Sequence, residues 1–396
     1  MNEAPPSARP SPEHELLLRA ALGDAESAAV AWRAWRQRVS FDDMGEASMR
    51  LMPLVSKNLS SHGVEHELSS RLRGIHRYWW SRNQRLLHRL AGVLDVLAAQ
   101  SIDVMVLKGV PLALHYYGDP GLRPMSDFDL MVPTGDADRA LRLLVEGGWK
   151  PTEPIPITLP GRKIDVNVYP GIGLVDSERQ ECDLHWHMLH DCCFEGADAS
   201  IWQHADTMSI HDRVFRAPDP TDLLMHVCVH GAVYNPMPPL RWIADAAMIL
   251  RTAGERVNWD RLIAEADERL LLVVMREAIL LLTVLVDVYV PAAVLTRLRT
   301  ARVSRAEERE YRLRQVDKAY LRTLTGRWCQ LGRQYPRAGM LERVTKLPTF
   351  MQQIWSLPTK RAIPTILMFH VLPAYLRRLR TGDVVEGHPH PVAERI

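Results

Sequence analysis

The chain has 396 residues, 47% of them apolar and 24% charged, with a formal net charge of +2. That length allows two or three domains around a sizeable core. The near-neutral balance excludes a global electrostatic pull toward nucleic acid, and five cysteines, with Cys192 and Cys193 adjacent, do not suit a secreted disulfide framework.

Residues 1–13 read as a disordered tail. Met1 to Pro12 is polar and proline-rich and lacks the apolar core of a signal peptide. Residues 14–100 form a helical segment, with apolar residues at helical spacing through Leu86, Leu87, Leu90, Val93, Leu94 and Leu97. Residues 101–217 read as an α/β module. Asp103 to Leu107 is short, apolar and β-branched and suits a buried strand. Lys108-Gly109 breaks it, and Pro111 sits where the first turn of a helix tolerates proline. Gly118, Pro120, Gly121 and Pro124 end that helix in a loop.

A second strand follows over Asp127-Phe-Asp-Leu-Met-Val132, and a helix over Asp136 to Glu146 closes on Gly147-Gly148. Arg162 to Tyr169 alternates like a strand, Gly171 and Gly173 form a turn, and Arg179 to Met188 supplies the next strand in a hairpin. Residues 218–396 return to helix. Arg302 to Arg314 is dense in charge and reads as a solvated face or linker. Ile363 to Leu372 is the most apolar C-terminal run, but it is too short to span a bilayer and contains Pro364. The expectation is a cytoplasmic protein with no membrane span.

Strand periodicity puts Asp127 and Asp129 on one face. Like charges so close are unfavourable unless a cation offsets them, and oxygen ligands beside a glycine turn suit Mg²⁺ and a phosphate. Metal-assisted phosphoryl or nucleotidyl transfer is the chemistry this implies. Asp165 and Asp183 both lie on alternating segments, and either could add a third carboxylate. Arg123 could bind a phosphate as a planar fork or neutralise the aspartates. Lys108 could contact a phosphate or snorkel at the strand edge.

Leu107-Lys-Gly109, Tyr116-Tyr117, Gly121-Leu-Arg-Pro124 and Asp127-Phe-Asp-Leu130 resemble the uncharacterised nucleotidyltransferase family of the polymerase-β-like superfamily. The resemblance continues at Cys182-Asp-Leu-His-Trp186, His226-Val-Cys-Val-His-Gly231 and Leu240-Arg-Trp-Ile-Ala-Asp245, spanning roughly residues 25 to 270. It implies an α+β fold, a small mixed-sheet nucleotidyltransferase module flanked by helical segments. It also implies that Asp127, Asp129 and Asp183 hold two Mg²⁺ ions, that Gly109 marks the phosphate turn, and that Asp165 is only a reserve. Lys108-Gly109-Val110 departs from the superfamily's Gly-Ser, so the turn lacks a hydroxyl.

His185, His187 and His190 with Cys182, Cys192 and Cys193 are too irregularly spaced for a zinc site and read as packing. Asp222, His226 and His230 share one helix face. They lack the glutamate of a zinc-protease helix, so a polar seam is expected, and His185, His226 and His230 are candidates for the acceptor pocket. Arg241 and Asp245 are spaced for an ion pair within one helix.

The expected activity is Mg²⁺-dependent transfer of a nucleoside monophosphate from a nucleoside triphosphate to a hydroxyl acceptor on a small molecule, peptide or protein. The alternative is a non-catalytic nucleotide-binding or accessory protein of a biosynthetic or toxin–antitoxin system. A nucleic-acid partner is disfavoured because no concentrated basic, aromatic stripe stands out.

Overall fold

The computed structural model describes residues 10–152, 166–167, 169–234, 240–316, 324–335, 338–355, 357 and 359–368. The candidate strand Arg162 to Tyr169 and the reserve carboxylate Asp165 fall largely or wholly outside that set. The fold is α+β around a seven-stranded mixed sheet.

The helices α1 (Pro12–Leu22), α2 (Ala25–Arg38), α3 (Glu46–Ser61) and α4 (Ser69–Ala98) come first. The Ser11 and Asp24 side chains cap the starts of α1 and α2 by accepting from His14 N and Ser27 N. α4 buries the stripe Leu86, Leu87, Leu90, Val93, Leu94 and Leu97 against the sheet module.

Strand β1 (Met105–Val106) leads into the single turn α5 (Gly109–Pro111). Next come β2 (Asp127–Met131), α6 (Ala137–Glu146), β3 (Lys150–Pro151), β4 (Gly171–Val175) and β5 (Glu181–His185). α7 (Ala199–His204), β6 (Asp206–Ile210) and β7 (Arg213–Ala217) complete the module. The sheet order is β3-β4-β5-β2-β1-β7-β6. β2 runs parallel to β5, and β1 runs parallel to β7.

One detail of the hairpin differs from the sequence reading. Gly171 and Gly173 lie inside β4, which pairs antiparallel with β5. A Cβ on Gly171 would come within 2.7 Å of Leu184 O, and one on Gly173 within 2.6 Å of Thr152 Oγ1. Their glycines allow close strand approach rather than a turn.

Beyond the sheet lie α8 (Pro220–Val229), α9 (Leu240–Ala253), α10 (Trp259–Glu268), α11 (Leu272–Leu285) and α12 (Ala292–Thr300). α13 (Arg305–Val316), α14 (Leu324–Gln334) and α15 (Met340–Ile354) follow. One apolar cluster joins residues of α1–α3, such as Leu17, Trp35 and Met52, to α8, α9 and α11, such as Leu224, Ile243 and Met275. The sheet module has its own core around Phe128, Leu130 and Leu184.

The charged run Arg302 to Arg314 is no linker: most of it lies in α13, which has a solvated face with Arg305, Arg309 and Arg312 exposed, and a buried one. In α13, Glu307 and Glu310 are buried, and Arg314 pairs with both Glu310 and Asp191 at 2.6 Å. Arg333 of α14 also pairs with Glu310. Dense charge concealed an interior network in which Glu310, Arg314, Arg333 and Asp191 pair with opposite charges, while Glu307 accepts from Val273 N at 2.9 Å. No helix among the described residues is long and apolar enough to cross a membrane.

Candidate active site

The parallel register of β2 and β5 sets Asp129 directly beside Asp183 and Met131 beside His185. Asp129, Asp183 and His185 each offer a ligand atom within 4.8 Å of the others, and they are the one such group of three among the described residues. Asp127 heads the same strand, but it stands outside that group, with an oxygen 3.3 Å from the Ser126 hydroxyl.

Lys108 projects into this group from the turn after β1. Its ammonium lies 2.9 Å from Asp129 Oδ1 and 3.2 Å from His230 Nε2. The Lys108 backbone has φ +20°, an uncommon conformation for a side-chain-bearing residue, so the turn is strained where it presents the ammonium. Gly109 follows it, buried, and a Cβ there would sit 3.3 Å from Met125 Sδ and 3.4 Å from Arg123 Nη1.

Burial and charge set the protonation of the group. Burial alone would raise Asp129, but Lys108 and His185 more than offset it and hold the carboxyl well below the usual range. Asp183 has no cation in direct contact among the described residues; burial and then the Asp129 carboxylate push it up to about 6. His185 Nε2 lies 3.3 Å from Asp129 Oδ1, while its buried Nδ1 lacks a hydrogen-bond partner among the described residues. Burial and then Lys108 hold His226 well below the ordinary imidazole value, and bring His230 down to about 3. The two rings lie 6.2 Å apart on the expected face of α8.

The donor set fits a divalent cation. Two carboxylates on neighbouring strands repel one another without one, and their oxygens suit a hard ion. The imidazole nitrogen broadens the choice toward Mn²⁺ and other first-row metals.

Arg123 is committed elsewhere. It is 5% exposed and makes a two-bond pair with Asp245 on α9, at 2.9 and 2.8 Å. Tyr117 donates to the same carboxylate at 2.8 Å. Asp245 therefore takes a partner 122 residues away rather than relying on Arg241 one helical turn behind it. Asp222 likewise faces Arg261, with both its oxygens 2.8 Å from Nη1, rather than the α8 histidines. His187 is held by Asp198 and Val166 O, and Cys182, Cys192 and Cys193 are free thiols in the core, in keeping with packing.

Asn83 is the positioning residue that the sequence reading missed. It is fully buried on α4, donates to Pro120 O and Arg123 O, and accepts from Met125 N. It thereby fixes the loop that enters β2 at Asp127. A polar residue three before Leu86 on the buried stripe was the available signal.

The model of a family of uncharacterised nucleotidyltransferases matches residues 47–287, more than half of the chain. The protein belongs to that family. Among solved structures it is similar to an antigenic nucleotidyltransferase-like protein from Paracoccidioides brasiliensis. That likeness has 16% identity and a TM-score of 0.30, covering 42% of this chain and 75% of the other. No curated protein matches.

Proposed function

We propose that the protein transfers a nucleoside monophosphate from a nucleoside triphosphate to a hydroxyl acceptor. The cross-strand pairing of Asp129 with Asp183, joined by His185, is the observation that carries this reading. Family membership and an α+β fold agree with it.

Asp129, Asp183 and His185 would hold a divalent cation, with Mg²⁺ the first choice and Asp127 placed to help hold a second. A cation bound there supplies charge stabilisation for the reacting phosphoryl group. Asp183 accepts the proton of the acceptor hydroxyl. The acceptor oxygen then bonds to the α-phosphorus, the bond to the bridging oxygen breaks, and pyrophosphate leaves. Lys108 moves from Asp129 toward the triphosphate, compensating for the missing turn hydroxyl, beside Gly109. Arg123 acts at one remove, holding the loop before β2 through Asp245. His226 and His230 line the side from which the acceptor enters. All five cysteines are free, which suits the reducing cytoplasm.

The Lys108–Asp129 contact favours a second reading, a nucleotide sensor in which the ammonium takes the cation's role and no transfer occurs. Incubating the protein with each nucleoside triphosphate and Mg²⁺ or Mn²⁺, with hydroxyl acceptors added in turn, separates the two. Metal-dependent pyrophosphate release abolished by Asp183→Asn supports the transferase. Nucleotide binding without any pyrophosphate release across the acceptors supports the sensor.

A further inference from the structure

The overall charge of +2 hides a local concentration. Between Glu67 and Asp95 the chain has six arginines (Arg71, Arg73, Arg77, Arg82, Arg85 and Arg89) and no acidic residue. Tyr78, Trp79 and Trp80 lie among them. The stretch makes up most of α4, and helical geometry gathers these side chains on its solvent side. Arg77, Arg82 and Arg85 are exposed there, with Tyr78 at 55% and Trp80 at 47% exposure.

Arg71 and Arg89 are matched by Asp42 and by Asp176 and Glu178. Arg77, Arg82 and Arg85 have no carboxylate partner among the described residues. Arg82 instead lies over the Trp79 ring, 5.5 Å from its centroid. Guanidinium groups alternating with exposed rings match a ligand that alternates phosphates with flat bases. A lipid surface would need an exposed apolar stripe, but the leucines of α4 face the core.

This face is also tied to the site. On the buried side of the same helix, Asn83 clamps the loop from Pro120 to Met125. A Cβ on Gly121 would come within 3.0 Å of Trp80 Cβ, so the loop and the aromatic cluster pack tightly.

We propose that the exposed face of α4 binds single-stranded nucleic acid and brings its terminal hydroxyl to the site as the acceptor. The acceptor role rests on the nucleotidyltransferase reading above; the binding surface does not. It reverses the sequence-based expectation, which rested on the averaged charge and passed over the basic, aromatic run from Arg71 to Arg89.

The test is fluorescence anisotropy with a labelled mixed-sequence RNA of about 16 nucleotides, titrated at several salt concentrations. The wild type is compared with the triple variant Arg77→Gln, Arg82→Gln, Arg85→Gln and with Tyr78→Ala. The triple variant is expected to lose about tenfold or more in affinity, with a salt slope smaller by about two. Tyr78→Ala is expected to lose several-fold with the slope unchanged, since stacking releases few ions.

Equal RNA binding by the wild type and the triple variant overturns the proposal. So does a wild type that ignores RNA at low salt, whether or not it binds anionic vesicles. Nucleotide and Mg²⁺ titrations on the same samples keep the two ideas apart. A wild type that binds RNA through this face but no nucleotide keeps the surface and refutes the site reading. One that binds nucleotide but not RNA refutes the surface alone.

Discussion

The Lys108 ammonium sits 2.9 Å from Asp129 Oδ1, the same oxygen that His185 Nε2 approaches at 3.3 Å. A divalent cation at Asp129 therefore competes with a cation built into the chain. Removing that competitor should strengthen metal binding while weakening nucleotide binding. Lys108→Met is expected to bind Mn²⁺ about tenfold more tightly without nucleotide, equivalent to about 1.4 kcal/mol. The same variant should bind the triphosphate several-fold more weakly. Calorimetric titrations check both, and weaker Mn²⁺ binding by the variant would show that Lys108 supports the metal instead of opposing it.

The Arg123–Asp245 pair joins the loop before β2 to α9 and is buried at both ends. Asp245→Leu would leave an uncompensated guanidinium in the core, at a cost of about 3–5 kcal/mol. The double variant Arg123→Met, Asp245→Leu should recover much of that loss, since neither charge then needs a partner. Urea denaturation of the singles and the double measures the coupling. Additive losses would show that the pair is not the fastener it resembles.

Much of this arrangement was legible in the sequence, for physical reasons. Period-two alternation placed Asp127 and Asp129 on one face and Asp183 and His185 on a later strand, but did not show that this strand pairs in parallel with β2 and brings His185 to Asp129. Asp219, a residue type that favours helix starts, caps α8 by accepting from Asp222 N. Long-range partners were hidden. Local spacing offered Asp245 only Arg241, whereas folding supplied Arg123 and Tyr117. Hydrophobicity could not reveal the buried charges of α13, because charged runs usually face water. The β6–β7 hairpin was also missed. Its two-residue turn at His211-Asp212 has positive φ at both positions, yet carries neither of the usual turn glycines.

His226 should make the protein acid-sensitive. Burial and Lys108 hold its pKa well below the unfolded value, so the unfolded chain binds the extra proton first as pH falls. Its contribution is present above the unfolded pKa and is lost below it. Asp183 and Asp222, both raised to about 6, act in the opposite direction: their contributions are lost as pH rises through that value. The expectation is therefore a difference. Relative to His226→Gln, the wild type should gain up to about 2 kcal/mol between pH 5 and 7.5. Urea midpoints across that range check it, and parallel pH profiles would exclude a neutral buried His226.

The central claim is that Asp129 and Asp183 hold the metal through which the protein binds a nucleoside triphosphate. The most direct measurement is calorimetric titration of each triphosphate with Mg²⁺ into the wild type and into Asp129→Asn, Asp183→Asn. Thermal melts of both proteins confirm that the near-isosteric variant is folded. The account predicts metal-dependent nucleotide binding in the wild type and its loss in the folded variant. Metal-dependent binding that persists unchanged in the variant would contradict it.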